Sequence, residues 1–422
     1  MTARGKVSNR SLAAWCSFDW ANSAFPTVIT TFVFAAYFTE GVSADKIAGT
    51  TAWGYAISIS AIFVAVLSPI LGAIADRGGR RKPWLFVLTL LCVTASASLW
   101  WIQPVTSFAI IALVLVVIAN TAFETGMVFY NAMLADIAPR NKLGRLSGWS
   151  WGLGYFGGLA CLIVMLVGFI QADTPWFGLD KETAEHIRIS GPLVAVWFSV
   201  FSLPLFLWVP DQPKTTTPAL TAAKQGLQVL VATARRIGEY RNIVRFLIAR
   251  MFFVDGLNTL FAFGGIYAAG TFGFTFQELI LFGIGMNVAA GLGATGFAWA
   301  DDRFGAKPVI MVAVTGLIVL STAVLIVDGK ALFWVFALPL GLFVGPTQSA
   351  SRSLMARMAP ADMRTEMFGL FALSGKATAF MGPALLGWVT VTMDSQRWGM
   401  ATILVFFVVG LWLMRSVKEP VE

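Results

Sequence analysis

Charged side chains are scarce in this chain. Asp, Glu, Lys and Arg make up 12% of its 422 residues, about half the share usual for a soluble domain. So few charges cannot cover a water-facing surface, which excludes an ordinary soluble fold. The single histidine, His186, lies in a polar loop, so a histidine proton relay within a membrane is excluded. The three cysteines, Cys16, Cys92 and Cys161, fall inside apolar segments. They form neither a disulfide framework nor a metal-ligand spacing and read as small buried hydrophobes. No glycine-rich phosphate loop follows a strand, which argues against ATP as the driver. With no nucleophile–base set, an enzyme is not expected, nor is a cofactor or a bound metal. The net charge of +8 forms no basic stripe, so nucleic acid is not expected as a partner.

Apolar residues, by contrast, are abundant: 57% of the chain is hydrophobic, with 16 Trp and 35 Phe. A helix needs about 20 apolar residues to cross the hydrocarbon core. Twelve segments qualify: roughly 12–38, 51–75, 84–102, 107–135, 146–170, 191–209, 243–269, 277–300, 308–327, 331–356, 366–391 and 398–414. The basic stretch Met1 to Arg10 reads as a tail ahead of the first span rather than a cleaved signal. The tail and the even-numbered connections hold 22 of the Lys and Arg residues, the odd connections five. That bias places both termini in the cytoplasm of a multi-pass cell-membrane protein.

The sequence repeats itself. The connection after span two reads Gly72-Ala-Ile-Ala-Asp76-Arg77-Gly78-Gly79-Arg80-Arg81-Lys82, and the one after span eight carries Asp302-Arg303-Phe304-Gly305-Ala306-Lys307. Span one contains Asp19-Trp-Ala-Asn22-Ser23-Ala-Phe25, and span seven contains Asp255-Gly-Leu-Asn258-Thr259-Leu-Phe261. The expected fold is all-α: twelve transmembrane helices in two pseudo-symmetric halves, 1–210 and 243–422. Residues 211–242 form a cytoplasmic linker whose basic part, Lys224 to Tyr240, reads as an interfacial helix.

A polar census sorts the spans. Spans three, six, nine and twelve carry no Asp, Glu, Lys, Arg, Asn or Gln. Spans one, four, seven and ten carry Asp19, Asn22, Asn120, Glu124, Asn131, Arg250, Asp255, Asn258, Gln348 and Arg352; span eleven adds Lys376 and span eight Asn287. An ionisable group facing lipid at mid-bilayer costs about 2.5–3.5 kcal/mol, so these side chains are expected to line a wet path or to pair. Asn120, Glu124 and Asn131 share one helical face. Glu124 is the proton-carrier candidate, Arg352 and Lys376 are the anion contacts, and Asp19 and Asp255 are coupling or substrate groups. Each has a plainer reading: Asp19 and Asp255 as structural partners of Asn22 and Asn258, Arg352 and Lys376 as standing ion pairs, Arg250 as a residue snorkelling to the interface. Gly152, Gly154, Gly157 and Gly158 allow close helix approach. Asp76, with Arg77, Arg80 and Arg81, reads as a latch, its carboxylate facing the N-terminus of span eleven near Met363 to Met367.

These motifs resemble the major facilitator superfamily over the whole chain, through G-x-x-x-D-R-x-G-R-R after span two. Within it, Phe18-Asp19-Trp20-Ala21-Asn22-Ser23-Ala24-Phe25, Gln348-Ser-Ala-Ser-Arg352 and Phe368-Gly-Leu-Phe-Ala-Leu-Ser-Gly375-Lys376 are similar to bacterial relatives of the yeast autophagy-related vacuolar amino-acid effluxer. Family members often carry Arg where Lys376 stands, which keeps the charge but not the planar fork. The resemblance implies alternating access, proton coupling and an amino acid or similar metabolite as solute. It also implies gating by Gly72, Asp76, Arg77, Gly79, Arg80 and Arg81 and by the echo at Asp302, Arg303 and Lys307. A small solute, protons and the lipid bilayer are the expected partners of a monomer. Drug or metabolite export by proton exchange, and lipid flipping, are alternative uses of the same fold.

Overall fold

In the computed structural model, eleven helices among the described residues are long and apolar enough to cross a bilayer. The description covers residues 7–420 apart from 214, 216–220, 222, 223, 227, 229–231, 233, 234 and 236. Spans one to six are Asn9–Val42, Lys46–Gly78, Lys82–Trp101, Thr106–Ile137, Arg140–Ile170 and Glu185–Trp208. Spans seven to ten are Gly238–Phe272, Gln277–Phe304, Ala306–Ile326 and Lys330–Met358, and span twelve is Gln396–Met414. Helix is the form expected of a chain in hydrocarbon, since it satisfies every backbone polar group within the segment. Of the linker helix expected between Lys224 and Tyr240, residues 224–226, 228, 232 and 235 are described and helical, the residues between them lie outside the described ones, and the end, Ile237–Tyr240, is a short 3-10 turn.

The segment expected as span eleven, 366–391, departs from a single helix. It consists of one helix at Arg364–Ser374 and a second at Met381–Thr392, separated by turns over 375–380. Pro383 stands in the first turn of the second helix. Pro383 has no N–H for the carbonyl of Ala379, and its ring crowds that carbonyl, whereas proline is tolerated in the first turn of a new helix.

Span one is irregular too. After Asn9–Asn22 it continues through wider π-type turns at Phe25–Phe32 and Phe38–Val42. Span seven, which carries the matching motif, is regular over Arg241–Phe272 and closes on Gly273 at φ +67°.

The apolar surface is distributed as a bilayer requires. On span four Ile110, Ile111, Val114 and Ile118 are exposed, while Ala112, Val116, Ala119 and Ala122 are buried. Large residues face outward and small ones face neighbouring helices, the arrangement expected when lipid replaces water outside. Spans three, six, nine and twelve show the same outward faces, with Phe86, Leu207, Val319 and Trp412 exposed.

The chain divides into two compact units. The first is Met1–Leu67, Gly78–Met133 and Leu153–Thr216; the second is Ser68–Arg77, Leu134–Gly152 and Thr217–Glu422. The second therefore includes the ends of spans two and four and the start of span five, along with everything after the linker.

Candidate functional site

In the first unit, span one is fixed to span four by a reciprocal aromatic pair. The Trp15 and Tyr130 rings stack with centroids 4.5 Å apart. Trp15 Nε1 donates to the Tyr130 carbonyl (3.2 Å), and the Tyr130 hydroxyl donates to the Trp15 carbonyl (3.1 Å). One turn further on, Asp19 is buried, and Asn22 Nδ2 donates to its Oδ1 at 3.1 Å and lies 3.4 Å from Met127 Sδ. Met127 follows Glu124 by three residues, so the polar face of span four meets span one at this pair. Glu124 is half-buried, Asn131 is half-buried, and Asn120 Nδ2 donates to Ser60 Oγ at 2.8 Å. Span five closes the cluster: a Cβ at Gly154 would lie 2.8 Å from Ser23 Oγ, and one at Gly157 only 2.4 Å from the Trp20 carbonyl oxygen.

In the second unit the matching residues are arranged differently. Asp255 is buried, and its Oδ1 has no hydrogen-bond partner among the described residues. Asn258, expected to support it as Asn22 supports Asp19, is exposed. Gly382 packs on the same turn, where a Cβ would meet Thr259 Oγ1 at 1.9 Å and the Asp255 carbonyl at 3.3 Å. Lys376 sits in the interruption of span eleven and is half-buried, as is Gln348 on span ten. Arg352 is 1% exposed, and its guanidinium donates to Ser147 Oγ (2.9 Å) and to the Ser147 carbonyl (2.6 Å). It ties span ten to the start of span five, a role the sequence reading did not give it. Asn287 donates to the Gly283 carbonyl of its own helix at 2.8 Å.

Four carboxylates sit on helix starts, where amides lack partners and the dipole favours an anion. Asp76 accepts from the Thr365 amide (3.1 Å), the Thr365 hydroxyl (2.6 Å) and the Glu366 amide (2.9 Å), at the start of span eleven. Asp302 accepts from the Gly144 and Arg145 amides (2.8 and 3.3 Å) and from Arg145 Nε (2.6 Å), at the start of span five. Asp211 accepts from the Arg81 and Lys82 amides (3.0 and 3.2 Å), and Glu419 from those of Ala306 and Lys307 (2.8 and 2.9 Å). Lys82 and Lys307 then reach back to carbonyls near the end of their half, Val209 and Val417. Arg357 joins Asp301 (2.6 Å) to Glu419 (3.0 Å), and Arg364 pairs with Asp136.

Glycine permits the approach of these ends. A Cβ at Gly72 would lie 2.6 Å from the Thr365 carbonyl oxygen, and one at Gly369 2.6 Å from Pro69 Cα. Gly79 has φ +83°, which a side chain would resist. Of the remaining gate residues, Arg81 is buried, Arg80 is exposed, Arg77 is half-buried, and Arg303 lies over the Phe304 ring.

Asp211, Glu419 and Arg357 were not singled out from the sequence, although their offsets mirror each other: acid after the last span of each half, basic residues at the start of its third. Arg250 was assigned to the interface. Its Nη1 instead donates to the Phe371 carbonyl at 2.7 Å and lies 2.8 Å from Ser374 Oγ.

Comparison with known proteins agrees over nearly the full length. A family profile described as "Vacuole effluxer Atg22 like" matches residues 40–420. An uncharacterized MFS-type transporter, YxiO of Bacillus subtilis, is 27% identical, over 96% of this chain and 94% of its own. Autophagy-related protein 22 of Cryptococcus neoformans is 26% identical, over 66% of this chain and 54% of its own. Among solved structures, the proton:xylose symporter XylE superposes with a TM-score of 0.75 at 14% identity, covering 97% of this chain and 96% of that one; that likeness is one of fold.

Proposed function

We infer, for a chain that belongs to the Atg22-like family of major facilitator transporters, that its solute is an amino acid or similar small metabolite and its coupling ion the proton. The superfamily relation makes it a multi-pass secondary transporter and not an enzyme. The finer reading adds a bacterial cytoplasmic membrane, both termini cytoplasmic, and two six-helix halves joined by the linker. The observation that carries proton coupling is the set of carboxyl groups held within spans: Asp19 and Asp255, at 5% and 2% exposure, and the half-buried Glu124 of span four. Buried carboxyl groups inside transmembrane helices are costly unless they take up a proton or a partner.

Glu124 is assigned as the proton carrier and Lys376 as the contact for a solute carboxylate. Arg352, spent on Ser147, is reassigned from the solute to closure. Asp76 and Asp302 act as latches: each holds the start of a helix of the opposite half, and both must release for the cytoplasmic side to open.

The test uses the full-length protein in liposomes with a radiolabelled mixture of the common amino acids. An imposed proton gradient should drive accumulation by the wild type. Glu124→Gln should reduce it to the level without a gradient while exchange continues. Accumulation driven by sodium and indifferent to pH would overturn the proton reading; undiminished uptake by Glu124→Gln would remove Glu124 from it. Asp76→Asn should reach the membrane in normal amount yet cycle slowly, and wild-type transport by it would remove the latch.

A further inference from the structure

A helix interrupted within the membrane leaves carbonyls with no amide to receive, and hydrocarbon supplies no water in their place. In span eleven the first helix ends at Ser374. The Gly375 amide, due to the Phe371 carbonyl, turns to Ala372 instead (3.1 Å), and the amides of Lys376 and Ala377 both go to Leu373 (3.0 and 2.9 Å). The Phe371 carbonyl is left outside the ladder. Side chains take it: Ser374 Oγ at 2.8 Å, and Arg250 Nη1 from span seven at 2.7 Å. The guanidinium also lies over the Phe371 ring, 3.5 Å from its centroid. A Cβ at Gly375 would stand 3.0 Å from Nη1, so the glycine makes room for the cation. Positive charge at a helix C-terminus is favoured by the dipole as well.

Beyond the interruption, span eleven returns to span seven. Gly382 packs on Thr259 and on the Asp255 carbonyl. The Thr378 side chain faces the Asp255 carboxylate, although neither Thr378 Oγ1 nor Asp255 Oδ1 makes a hydrogen bond among the described residues. Span seven thus grips span eleven at two levels, Arg250 and Thr259, about 13 Å apart along its axis by helical rise. Lys376 and Thr378 lie on the stretch between. The first half offers a control. Counting back from the shared motif, the residue matching Arg250 is Ala14, and span five runs unbroken over Leu143–Met165.

We propose that Arg250 is a positioning residue. It caps the first helix of span eleven, fixes the geometry of the interruption, and so sets Lys376 and Thr378 at the level of Asp255, where a carboxylate-bearing solute is held. Pro383 lies in the first turn beyond the break; Arg250 decides its shape. The proposal rests on the reading of the chain as a carrier of such solutes, but its first test does not.

That test is amide hydrogen exchange of the full-length protein in lipid nanodiscs, followed in peptides covering residues 368–381. Arg250→Gln should speed exchange there roughly tenfold, the scale of one charge-assisted hydrogen bond. Arg250→Lys should return it to within about twofold, since an ammonium can still donate to the Phe371 carbonyl. Exchange in Arg250→Gln that is unchanged, or slower, overturns the proposal. Should that variant fail to reach the membrane, Ser374→Ala removes one acceptor of the same guanidinium and should show about a threefold rise; no rise overturns the proposal equally.

The second arm is counterflow of the radiolabelled amino-acid mixture. Arg250→Gln should raise the half-saturating concentration about fivefold with the maximal rate within about twofold. A fall in maximal rate alone is the signature of a purely structural residue and overturns positioning. If the wild type carries no amino acid, the solute assignment fails, and the exchange arm alone decides whether Arg250 holds the break.

Discussion

Spans five and eleven make the same kind of contact with the first helix of their half, yet only one of them is continuous. Gly154 of span five packs on the Asp19 carbonyl and Ser23 Oγ; Gly382 of span eleven packs on the Asp255 carbonyl and Thr259 Oγ1. Span five adds a second glycine face. A Cβ at Gly148 would lie 2.5 Å from the Ala294 carbonyl oxygen, and one at Gly152 2.2 Å from Thr295 Oγ1. Its helix runs between those neighbours without a break. Span eleven has Gly369 against span two and Gly382 against span seven, with the interruption between them. Small residues set how near two helices come. Close approach is thus compatible with a continuous helix in span five and with an interrupted one in span eleven.

The largest expected effect tests the packing side of that contrast. Gly157→Val puts a branched side chain where the Trp20 backbone already stands, and should cost about 3 kcal/mol or more, read as loss of folded protein on size-exclusion chromatography. Gly387, in the second helix of span eleven, has nothing within 4 Å of its Cβ position. Equal yields from Gly157→Val and Gly387→Val would end the argument that span five is the tightly gripped one.

Next come the caps. Asp302→Asn strands Arg145 and weakens two amide contacts in a site where Asp302 is only 7% exposed; a loss of about 2–3 kcal/mol is expected. Asp76→Asn weakens two amide contacts and the Thr365 hydroxyl contact at the start of span eleven and should lose at least about 1 kcal/mol. A thermal melt in which either variant matches the wild type would show that its loop is not built as described.

The motif pair sharpens the comparison further. Asn22→Ala removes a buried hydrogen bond to Asp19 and should cost about 1–2 kcal/mol, whereas Asn258→Ala, at an exposed position, should stay within about 0.5 kcal/mol. A matched response from the two would restore the symmetry that the structure denies them. The smallest effect is a gain. Gly387→Ala should raise stability by up to about 1 kcal/mol, through helix propensity alone, seen as a slightly higher melting temperature.

Much of the architecture was legible because its cause is local. Apolar runs long enough to cross a bilayer announce themselves, and eleven such helices stand among the described residues; the repeat of Asp, Asn and Ser or Thr at fixed spacing marks spans one and seven as related in sequence. Asp76 was legible for the same reason, since a carboxylate between glycines needs a helix start to face. Arg250 was not, because nothing in its own segment shows that a carbonyl on another helix lacks a donor. The break in span eleven was half visible: Pro383 stands in the sequence, but an apolar run of that length reads as one helix until its backbone is followed. Asn258 misled, because the motif copies its letters while the two helices present them to different surroundings. Arg352 was half legible: a cation within a span must find partners, but nothing in its own segment points to Ser147 of span five.

The acid caps also set an order of events during synthesis. The amides of Ala306 and Lys307 take their partner from Glu419, 113 and 112 residues downstream. At about 5–20 residues per second that is a wait on the order of ten seconds. Through that interval the amides at the start of span nine have no Glu419 to meet, and Arg357 lacks one of its three acids. Span three waits in the same way for Asp211, 129 residues after Lys82. Spans three and nine are therefore each fastened by an acid made more than a hundred residues later. A ribosome stalled before residue 419 would hold a chain in which span nine still lacks its acid cap.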